Sequence, residues 1–237
     1  MNEIDNIRSG EGRVLLITGA SSGIGAATAR AAVADGWKVA LAARSKDKLD
    51  AIVAELGDEA SLAVRCDVTD FASQQAAVQA TLDKFGRLDA AFANAGFGAK
   101  RGFTEESPEH WRDMVLTNVL GPALTIRAVK EHVVANKGHI LLTGSTAGTR
   151  SLPGSLYSST KFAVHGMAES LRQELNGTGA HATLIAPGMT DTPFFDNGAG
   201  PGSLHPEDIA RAVMFALSQP DRVDVNFVLV RPVAQDH

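Results

Sequence analysis

Position 157 holds the only tyrosine among 237 residues, and a lysine follows it four positions later. A free phenol has a pKa of about 10, too high for ready proton exchange near neutral pH. Residues four apart on a helix share one face, so the Lys161 ammonium is expected near the Tyr157 oxygen. At about 6 Å and an effective dielectric of about 20, that charge stabilises a phenolate by roughly 3 kcal/mol, or about two pKa units. Tyr157 is therefore a candidate acid and base, although an isolated pair of this kind is more often exposed on a surface helix.

A glycine-rich turn follows the first predicted strand, 13–18, and precedes an alanine-rich helical run over 26–35. Glycines let the backbone approach a ligand closely, and the N-terminus of the next helix offers unpaired N–H groups and partial positive charge to an anion. No Lys-Ser or Lys-Thr pair follows the last glycine, which argues against a P-loop. The turn predicts a pyrophosphate site that comprises Gly19, Ser21, Ser22, Gly23, Ile24 and Gly25.

Two further polar residues stand where chemistry is expected. Ser145 comes directly after the fifth predicted strand, at the carboxyl edge where open α/β sheets bind ligands, and its hydroxyl can steady a substrate oxygen. A capping role is the alternative, and Thr143 or Thr146 could take its place. Asn118 lies within a helical pattern, where asparagine is mildly unfavourable, which suggests a role beyond helix formation.

Short apolar runs alternate with longer helical patterns, which is typical of βαβ units around a parallel sheet. The helical segments 109–136 and 155–176 are the longest, and the first is expected to break near Gly121-Pro122. We predict an α/β fold, a single doubly wound Rossmann-type domain over 13–237, with a flexible leader at 1–12 and a mobile substrate-covering loop at 193–206. The seven predicted strands are 13–18, 37–43, 62–66, 88–94, 139–143, 182–186 and 225–230.

Composition excludes several classes of protein. The net charge is −5 with no long basic block, so a nucleic-acid partner is not expected. The apolar runs are too short to span a membrane, the N-terminus does not read as a secretory signal, and Cys66 has no cysteine partner, so we expect a cytoplasmic protein. The seven histidines lack metal-ligand spacing, and no metal site is predicted.

The pattern Thr-Gly-x-x-x-Gly-x-Gly resembles the compact subgroup of the short-chain dehydrogenase/reductase family. The likeness extends from about residue 12 to the C-terminus. One departure is Ala93, where the family usually carries a second asparagine; we expect it to loosen the sheet slightly without touching the chemistry. The other matching residues are Asp67-Val68, Asn94-Ala95-Gly96, Asn118, Ser145, Tyr157-x-x-x-Lys161 and Pro187-Gly188.

The resemblance implies roles for these positions. Asp67 and Val68 would flank an adenine, and Asn94, Ala95 and Gly96 would line the path of the ribose and nicotinamide. Thr190 and Thr192, after Pro187-Gly188, would hold the carboxamide. Lys161 would also bind the ribose, and Asn118 would hold a water molecule that relays protons to the lysine.

The end of the second strand bears on which nicotinamide dinucleotide binds. Sites that prefer NAD place an acid there, whereas this chain has Ala43 followed by Arg44, whose planar cation suits a 2′-phosphate. We therefore favour NADP, with NAD less expected; Asp47 is a candidate NAD-type acid if the strand ends later, and Arg44 could simply be a solvated cation.

The predicted function is an NADP-preferring oxidoreductase that transfers hydride between a nicotinamide cofactor and a secondary alcohol or carbonyl compound, with Tyr157 as general acid and base. The alternatives are a catalytically silent nucleotide-sensing protein and an isomerase or dehydratase on the same scaffold. The ending Arg231–Gln235 resembles family members that act on small hydroxy acids, and Arg150 is a candidate partner for a carboxylate. The resemblance also implies a homo-oligomer, a tetramer or a dimer.

Overall fold

Within residues 8–195 and 198–235, which the computed structural model describes, seven strands form one parallel sheet. The strand order is β3-β2-β1-β4-β5-β6-β7, and every neighbouring pair runs in the same direction. The fold class and the number of strands predicted from the sequence are therefore confirmed, with ends that shift by one or two residues in most strands. The strands are β1 Val14–Thr18, β2 Lys38–Ala43, β3 Ser61–Arg65, β4 Ala90–Ala93, β5 His139–Thr143, β6 His181–Pro187 and β7 Phe227–Val230.

The central strands are buried because helices cover both faces of the sheet. All five residues of β1 and all four of β4 are buried, as strands between two helical layers must be. Alternate residues of a strand point to opposite faces, so Leu16 belongs to one apolar cluster and Ile17 to the other. The helices are α1 Gly23–Ala34, α2 Lys46–Leu56, α3 Phe71–Phe85, α4 Pro108–Val115, α5 Gly121–Ala135, α6 Leu156–Leu175 and α7 Pro206–Leu217.

The long predicted helix 109–136 is interrupted earlier than its glycine and proline suggest. A π-helical turn, Leu116–Leu120, separates α4 from α5. Pro122 has no N–H, so the carbonyl of Asn118 loses the partner that a regular α-helix would give it four residues on. The wider π turn accommodates that loss, and such turns often occur at functional sites. The interruption places Asn118 at the break, where its side chain is 2% exposed.

Two segments singled out in the sequence extend outside the described residues. Of the predicted leader, residues 1–7 are not described; beyond them, Arg8 N donates to Ser218 O at 2.8 Å, and Gly10 is buried next to Trp37. Of the predicted loop 193–206, residues 196 and 197 are not described. Its end is tied back to the turn after β6 by the hydrogen bond from Leu204 N to Met189 O, 2.9 Å long.

Candidate active site

The sheet brings the candidate residues to one edge. Because all seven strands are parallel, the residues after β1, β4, β5 and β6 lie side by side at their carboxyl ends. The central crossover in strand order, where β1 lies next to β4, places the glycine turn beside Asn94. Helix α6 then runs past this edge with Tyr157 in its first turn.

The glycine turn has the geometry that an anion site requires. Gly19 and Gly23 adopt positive φ values of 66° and 54°, which favour glycine. A Cβ on Gly25 would lie 2.6 Å from the Gly19 carbonyl oxygen, so only glycine fits there. Helix α1 begins at Gly23 with no side-chain cap from Ser22 and no acidic residue in its first turn. Its N–H groups are therefore free to face a negatively charged ligand.

Asn94 ties together three strands at this edge. Its Nδ2 donates to Thr18 O at 3.1 Å, and its Oδ1 accepts a hydrogen bond from Thr143 Oγ1 at 3.2 Å. The Thr18 hydroxyl in turn accepts from the N–H groups of Asn94 and Ala95, at 3.0 and 3.3 Å. A Cβ on Gly19 would lie 2.8 Å from Ala95 Cα, so the glycine turn packs directly on this segment. These contacts fix the floor of the cleft on which Gly96 is exposed.

The residues after β2 and β3 form the other end of the cleft. Arg44 directly follows the last residue of β2 and is exposed, and Asp67 follows β3 by two residues. The pKa of Asp67 is lowered, first by the hydrogen bonds that its Oδ1 accepts from the backbone N–H and the hydroxyl of Thr69, with a smaller contribution from the Arg44 charge. Val68 is buried, and its carbonyl accepts from Gln74 Nε2 at 2.7 Å.

Tyr157 and Ser145 meet in the centre of the cleft. Ser145 is 8% exposed; it caps the short 3₁₀ turn Thr146–Gly148, and its Oγ accepts from Ala147 N at 3.1 Å. Burial raises the pKa of Tyr157 to about 12, although a hydrogen bond with the Ser145 side chain acts to lower it. The tyrosine is therefore protonated at neutral pH.

Lys161 lies close to the Tyr157 ring but is held by the backbone of β5. Its Nζ lies 5.7 Å from the ring centroid and donates a hydrogen bond to Thr143 O. The side chain is buried, and burial lowers the pKa of Lys161 to about 8. The proximity predicted from the spacing is confirmed, whereas the expected net lowering of the Tyr157 pKa is not found among the protein's own groups. Burial is the larger cause and outweighs the opposing hydrogen bond with Ser145.

Asn118 holds the loop after β4. Its Oδ1 accepts from Phe97 N at 3.0 Å, and its Nδ2 donates to Phe97 O at 2.8 Å. The same Nδ2 lies 3.2 Å from Thr160 Oγ1, whose hydroxyl donates to Tyr157 O. Asn118 thus connects the wall of the cleft to the helix that carries Tyr157 and Lys161.

Comparison with known proteins agrees with this arrangement. The family model described as short chain dehydrogenase matches residues 13–199. An uncharacterized oxidoreductase of Staphylococcus haemolyticus is 41% identical over 226 residues, covering 94% of this chain and 98% of the relative. The chain belongs to the short-chain dehydrogenase family. It is an oxidoreductase of that family, as the sequence predicts.

Two solved structures of the short-chain dehydrogenase fold are especially informative neighbours. An alcohol dehydrogenase from the archaeon Thermococcus sibiricus, complexed with 5-hydroxy-NADP, has a TM-score of 0.87 and 34% identity, covering 95% of this chain and 98% of the other. A 3-ketoacyl-(acyl-carrier-protein) reductase from Brucella melitensis, complexed with NADH, has a TM-score of 0.88 and 32% identity, covering 94% of this chain and 98% of the other.

The last family motif follows β6, where Pro187 ends the strand and Gly188 begins a turn. Thr190 is buried, and its hydroxyl donates to Gly188 O at 3.0 Å. Thr192 lies across from the glycine turn, since a Cβ on Gly23 would be 3.1 Å from Thr192 Cβ. Both threonines therefore border the same cleft as the start of α1.

Several residues of this short-chain dehydrogenase site were not predicted as site residues, although Thr18 opens the glycine motif and Gln235 lies in the Arg231–Gln235 ending. Thr18 and Thr160 join the hydrogen-bond network, and Gln235 Oε1 accepts from Met189 N at 2.9 Å. His110 Nε2 donates to Gly98 O at 2.9 Å and so fixes the wall beyond Phe97. The sequence offered a signal for Thr18, which opens the glycine motif, and for Thr160, which directly precedes the lysine. Gln235 and His110 are brought in from distant segments.

Membrane-spanning helices and metal-ligand clusters are absent from the described part of the chain. Over residues 8–195 and 198–235, no helix combines the length and apolar character needed to cross a bilayer. In the same part of the chain, no three His, Cys, Asp or Glu side chains come together as metal ligands.

Proposed function

We propose that this chain is an NADP-preferring oxidoreductase that interconverts a secondary alcohol and a carbonyl compound, with Tyr157 as the general acid and base. The observation that carries the proposal is the meeting of Tyr157, Ser145 and Lys161 at the carboxyl edge of the sheet, beside an uncapped glycine turn. A binding site alone would not need a desolvated phenol next to a hydroxyl and an ammonium.

The residues present fit a nicotinamide dinucleotide. The uncapped N-terminus of α1 suits a pyrophosphate, and Gly19, Gly23 and Gly25 leave room for its close approach. Exposed Arg44 at the end of β2 suits the 2′-phosphate that distinguishes NADP from NAD. The Thermococcus neighbour carries an NADP derivative and the Brucella neighbour carries NADH, so both cofactors occur among related folds.

The protonation state of Tyr157 at neutral pH suits the role of acid in carbonyl reduction. A reduced nicotinamide held by these residues would supply the hydride that the carbonyl carbon requires. Tyr157, protonated at neutral pH because its pKa is raised to about 12, donates a proton to the carbonyl oxygen as negative charge develops there. Ser145 steadies that oxygen through its hydroxyl. The alcohol is formed, and the phenolate left on Tyr157 is stabilised by the nearby Lys161 ammonium until water restores the proton.

Oxidation of an alcohol requires the opposite protonation state of Tyr157. The positive ring of the oxidised cofactor would lower the pKa of Tyr157, and the lysine charge would add to that effect. Because the chain has one tyrosine, an alkaline absorbance titration reads this residue alone. We expect ionisation near pH 12 without cofactor and at lower pH with NADP⁺; an unchanged titration would remove the role as base.

Turnover of the nicotinamide distinguishes this function from the alternatives. Net consumption of NADPH with a ketone panel is expected of a reductase, whereas a silent sensor shows none and an isomerase or dehydratase regenerates its cofactor. Tyr157→Phe should lower kcat by about 10²- to 10⁴-fold while the Kd for NADPH changes little. A Tyr157→Phe enzyme with undiminished turnover would reject the assignment.

Two further expectations stay predictions. Assembly into a dimer or tetramer is supported by Phe162 of α6, a large apolar side chain that is 43% exposed in the single chain. Sedimentation at several concentrations measures the assembly directly.

A cytoplasmic location is tested by fractionation of cells that express the tagged chain.

A further inference from the structure

The ring of Phe194 lies over the backbone of Gly98. A Cβ on Gly98 would be 2.7 Å from Cζ and 3.1 Å from Cε1 of Phe194, closer than carbon atoms pack. The same ring meets Tyr157 edge-on, with centroids 5.4 Å apart and an interplanar angle of 61°. Phe194 therefore spans the cleft from its wall to the proposed acid, and only a glycine at position 98 permits this.

The Gly98 side of the contact is rigid. His110 Nε2 donates to Gly98 O at 2.9 Å, and both backbone groups of Phe97 are bonded to the Asn118 side chain. His110 also packs edge-on against Phe97, with centroids 5.2 Å apart. The wall that receives the Phe194 ring is thus fixed by partly buried hydrogen bonds from two helical segments.

The Phe194 side of the contact is held less firmly. Its N–H donates to Thr192 Oγ1 at 3.3 Å, and its ring packs edge-on against Phe195 at 5.0 Å. The Phe194 side chain remains 39% exposed although it packs against the half-buried ring of Tyr157. A substrate that covers this ring would gain apolar burial at the point where its carbonyl must reach Tyr157.

The aromatic partners of the Phe194 ring are uncharged: the ring packs against those of Tyr157 and Phe195. Among the described residues, the cation–ring contacts involve Trp37, Phe85, Phe71 and Tyr157, and none involves Phe194 or Phe195. A carboxylate placed against these two rings would lose its water without meeting a cation on either ring.

We propose that Phe194 is a specificity-determining residue that selects carbonyl substrates carrying a flat, uncharged aromatic group, with Gly98 providing the space for its ring. This inference rests on the proposed function and names the substrate class of the same site. It opposes the small hydroxy acids that the C-terminal sequence suggests, because Arg150 is exposed and, within the described part of the chain, makes no cation–ring contact with Phe194.

The first experiment compares acetophenone with acetoacetate as substrates for NADPH-dependent reduction. We expect kcat/KM for acetophenone to exceed that for acetoacetate by at least tenfold. Phe194→Ala should lower the acetophenone value at least tenfold, mainly through KM, and leave the acetoacetate value within about threefold, since the lost contact is apolar. Phe215→Ala is the control, because Phe215 is an exposed phenylalanine of α7 outside the cleft. A preference for acetoacetate, or equal losses on both substrates, would overturn the proposal.

The second experiment tests the contact through a double-mutant cycle. Gly98→Ala should reproduce the acetophenone defect of Phe194→Ala, because the new Cβ displaces the ring. In the Phe194→Ala background the same substitution should have almost no further effect, since the clashing atoms are gone. Fully additive losses would reject the contact.

The Tm values of the same four proteins in the double-mutant cycle give a second readout, which needs no substrate. Gly98→Ala should lower the Tm in the wild-type background and leave it unchanged in the Phe194→Ala background. If wild type consumes no NADPH with any carbonyl compound, the proposed function fails and the substrate preference fails with it, while the Tm cycle still decides the contact. If NADPH is consumed but acetophenone is not preferred, only the inference on Phe194 fails.

Discussion

Lys161 Nζ donates a 2.8 Å hydrogen bond to the carbonyl oxygen of Thr143, the last residue of β5. This bond ties the first half of α6 to the strand that delivers Ser145 two residues later. It also explains how a buried ammonium is tolerated close to a phenol, because a charge-assisted bond offsets part of its desolvation. The lysine therefore has a structural partner in addition to its proposed role beside Tyr157.

Burial of Lys161 predicts that replacing this residue makes the fold more stable and the enzyme less active. The folded-state pKa of about 8 lies below the ordinary 10.5, so charging this amine opposes folding at neutral pH. Lys161→Met should raise the free energy of unfolding at pH 7 by about 1–3 kcal/mol while reducing kcat sharply. The wild-type chain regains stability as pH rises from 8 to 10.5, because Lys161 loses its proton over that range in the folded chain. Urea unfolding should therefore show a smaller difference in unfolding free energy between wild type and Lys161→Met at pH 10 than at pH 7. The prediction is wrong if Lys161→Met is less stable than wild type at pH 7, or if the difference in unfolding free energy is the same at pH 7 and pH 10.

Asn118 should tolerate neither loss of its side chain nor an acidic replacement. Asn118→Ala removes both bonds to Phe97, and we expect kcat to fall about tenfold or more as the wall loosens. Asn118→Asp places a buried carboxylate against Phe97 O and should lower the free energy of unfolding by about 1–3 kcal/mol. Asn136→Asp, at an exposed helix end, is the control expected to change stability less. Equal losses at the two positions would argue against a buried network.

Gly25 should be required for nucleotide binding. A Cβ there would lie 2.6 Å from Gly19 O and 2.8 Å from Asn94 Nδ2, so Gly25→Ala must displace the turn. We expect the Kd for NADPH to rise at least tenfold and stability to fall by about 1–3 kcal/mol. Gly166→Ala is the control, because a Cβ at this α6 position meets nothing within 4 Å and should stabilise the helix by about 0.5–1 kcal/mol. Fluorescence titration of NADPH measures both variants.

Arg44 should decide between the two nicotinamide dinucleotides. Arg44→Asp removes a charge-assisted contact to a 2′-phosphate, so the Kd for NADPH should rise about tenfold to a hundredfold while NADH binding is retained or improved. Lys48→Asp makes the same change of charge at an exposed position of α2. A similar shift in both variants would show a general field effect instead of a direct contact. An unchanged ratio of the two Kd values in Arg44→Asp would reject the NADP preference.

Acid should destabilise the chain through a histidine at the amino-terminal end of β5, opposite the carboxyl edge that forms the cleft. His139 is buried and its Nε2 lies 2.7 Å from the Thr183 hydroxyl, which itself donates to Val225 O, so the imidazole is a donor. Burial, then the charges of His181 and Arg8, hold the pKa of His139 well below 6.5. Protonation then favours the unfolded chain, so stability is complete above pH 6.5 and falls with decreasing pH by up to about 1.4 kcal/mol per pH unit.

The measurement is urea unfolding between pH 7 and 5. His139→Gln keeps a donor for Thr183 and removes the titration, so its unfolding free energy should depend less on pH than that of wild type. His132→Gln, at the last turn of α5, is the control for a histidine with weaker burial. Identical pH dependence in wild type and His139→Gln would show that other groups govern acid unfolding.

The sheet and much of the proposed site follow from local sequence patterns. Runs buried on both faces must be almost wholly apolar, so the seven strands are visible as such, and the positions after them are fixed by chain order. The spacing of Tyr157 and Lys161 on one helix likewise determines that both lie on the same face. The position of the helix break is predicted less accurately from the sequence. The π turn lies before Gly121-Pro122, because Pro122 deprives the carbonyl four residues earlier, at Asn118, of its hydrogen-bond partner.

Charge state and contacts between distant segments were decided only by the tertiary structure. The spacing of two residues gives their separation but not their desolvation, and here burial raises the pKa of Tyr157 to about 12 where proximity to lysine alone predicted a decrease. The sequence contains both Gly98 and Phe194, yet nothing local brings a ring onto a glycine 96 positions away; packing of the described loops does so. Local order follows from short-range sterics and hydrogen bonding, whereas dielectric environment and such contacts are properties of the whole packed chain.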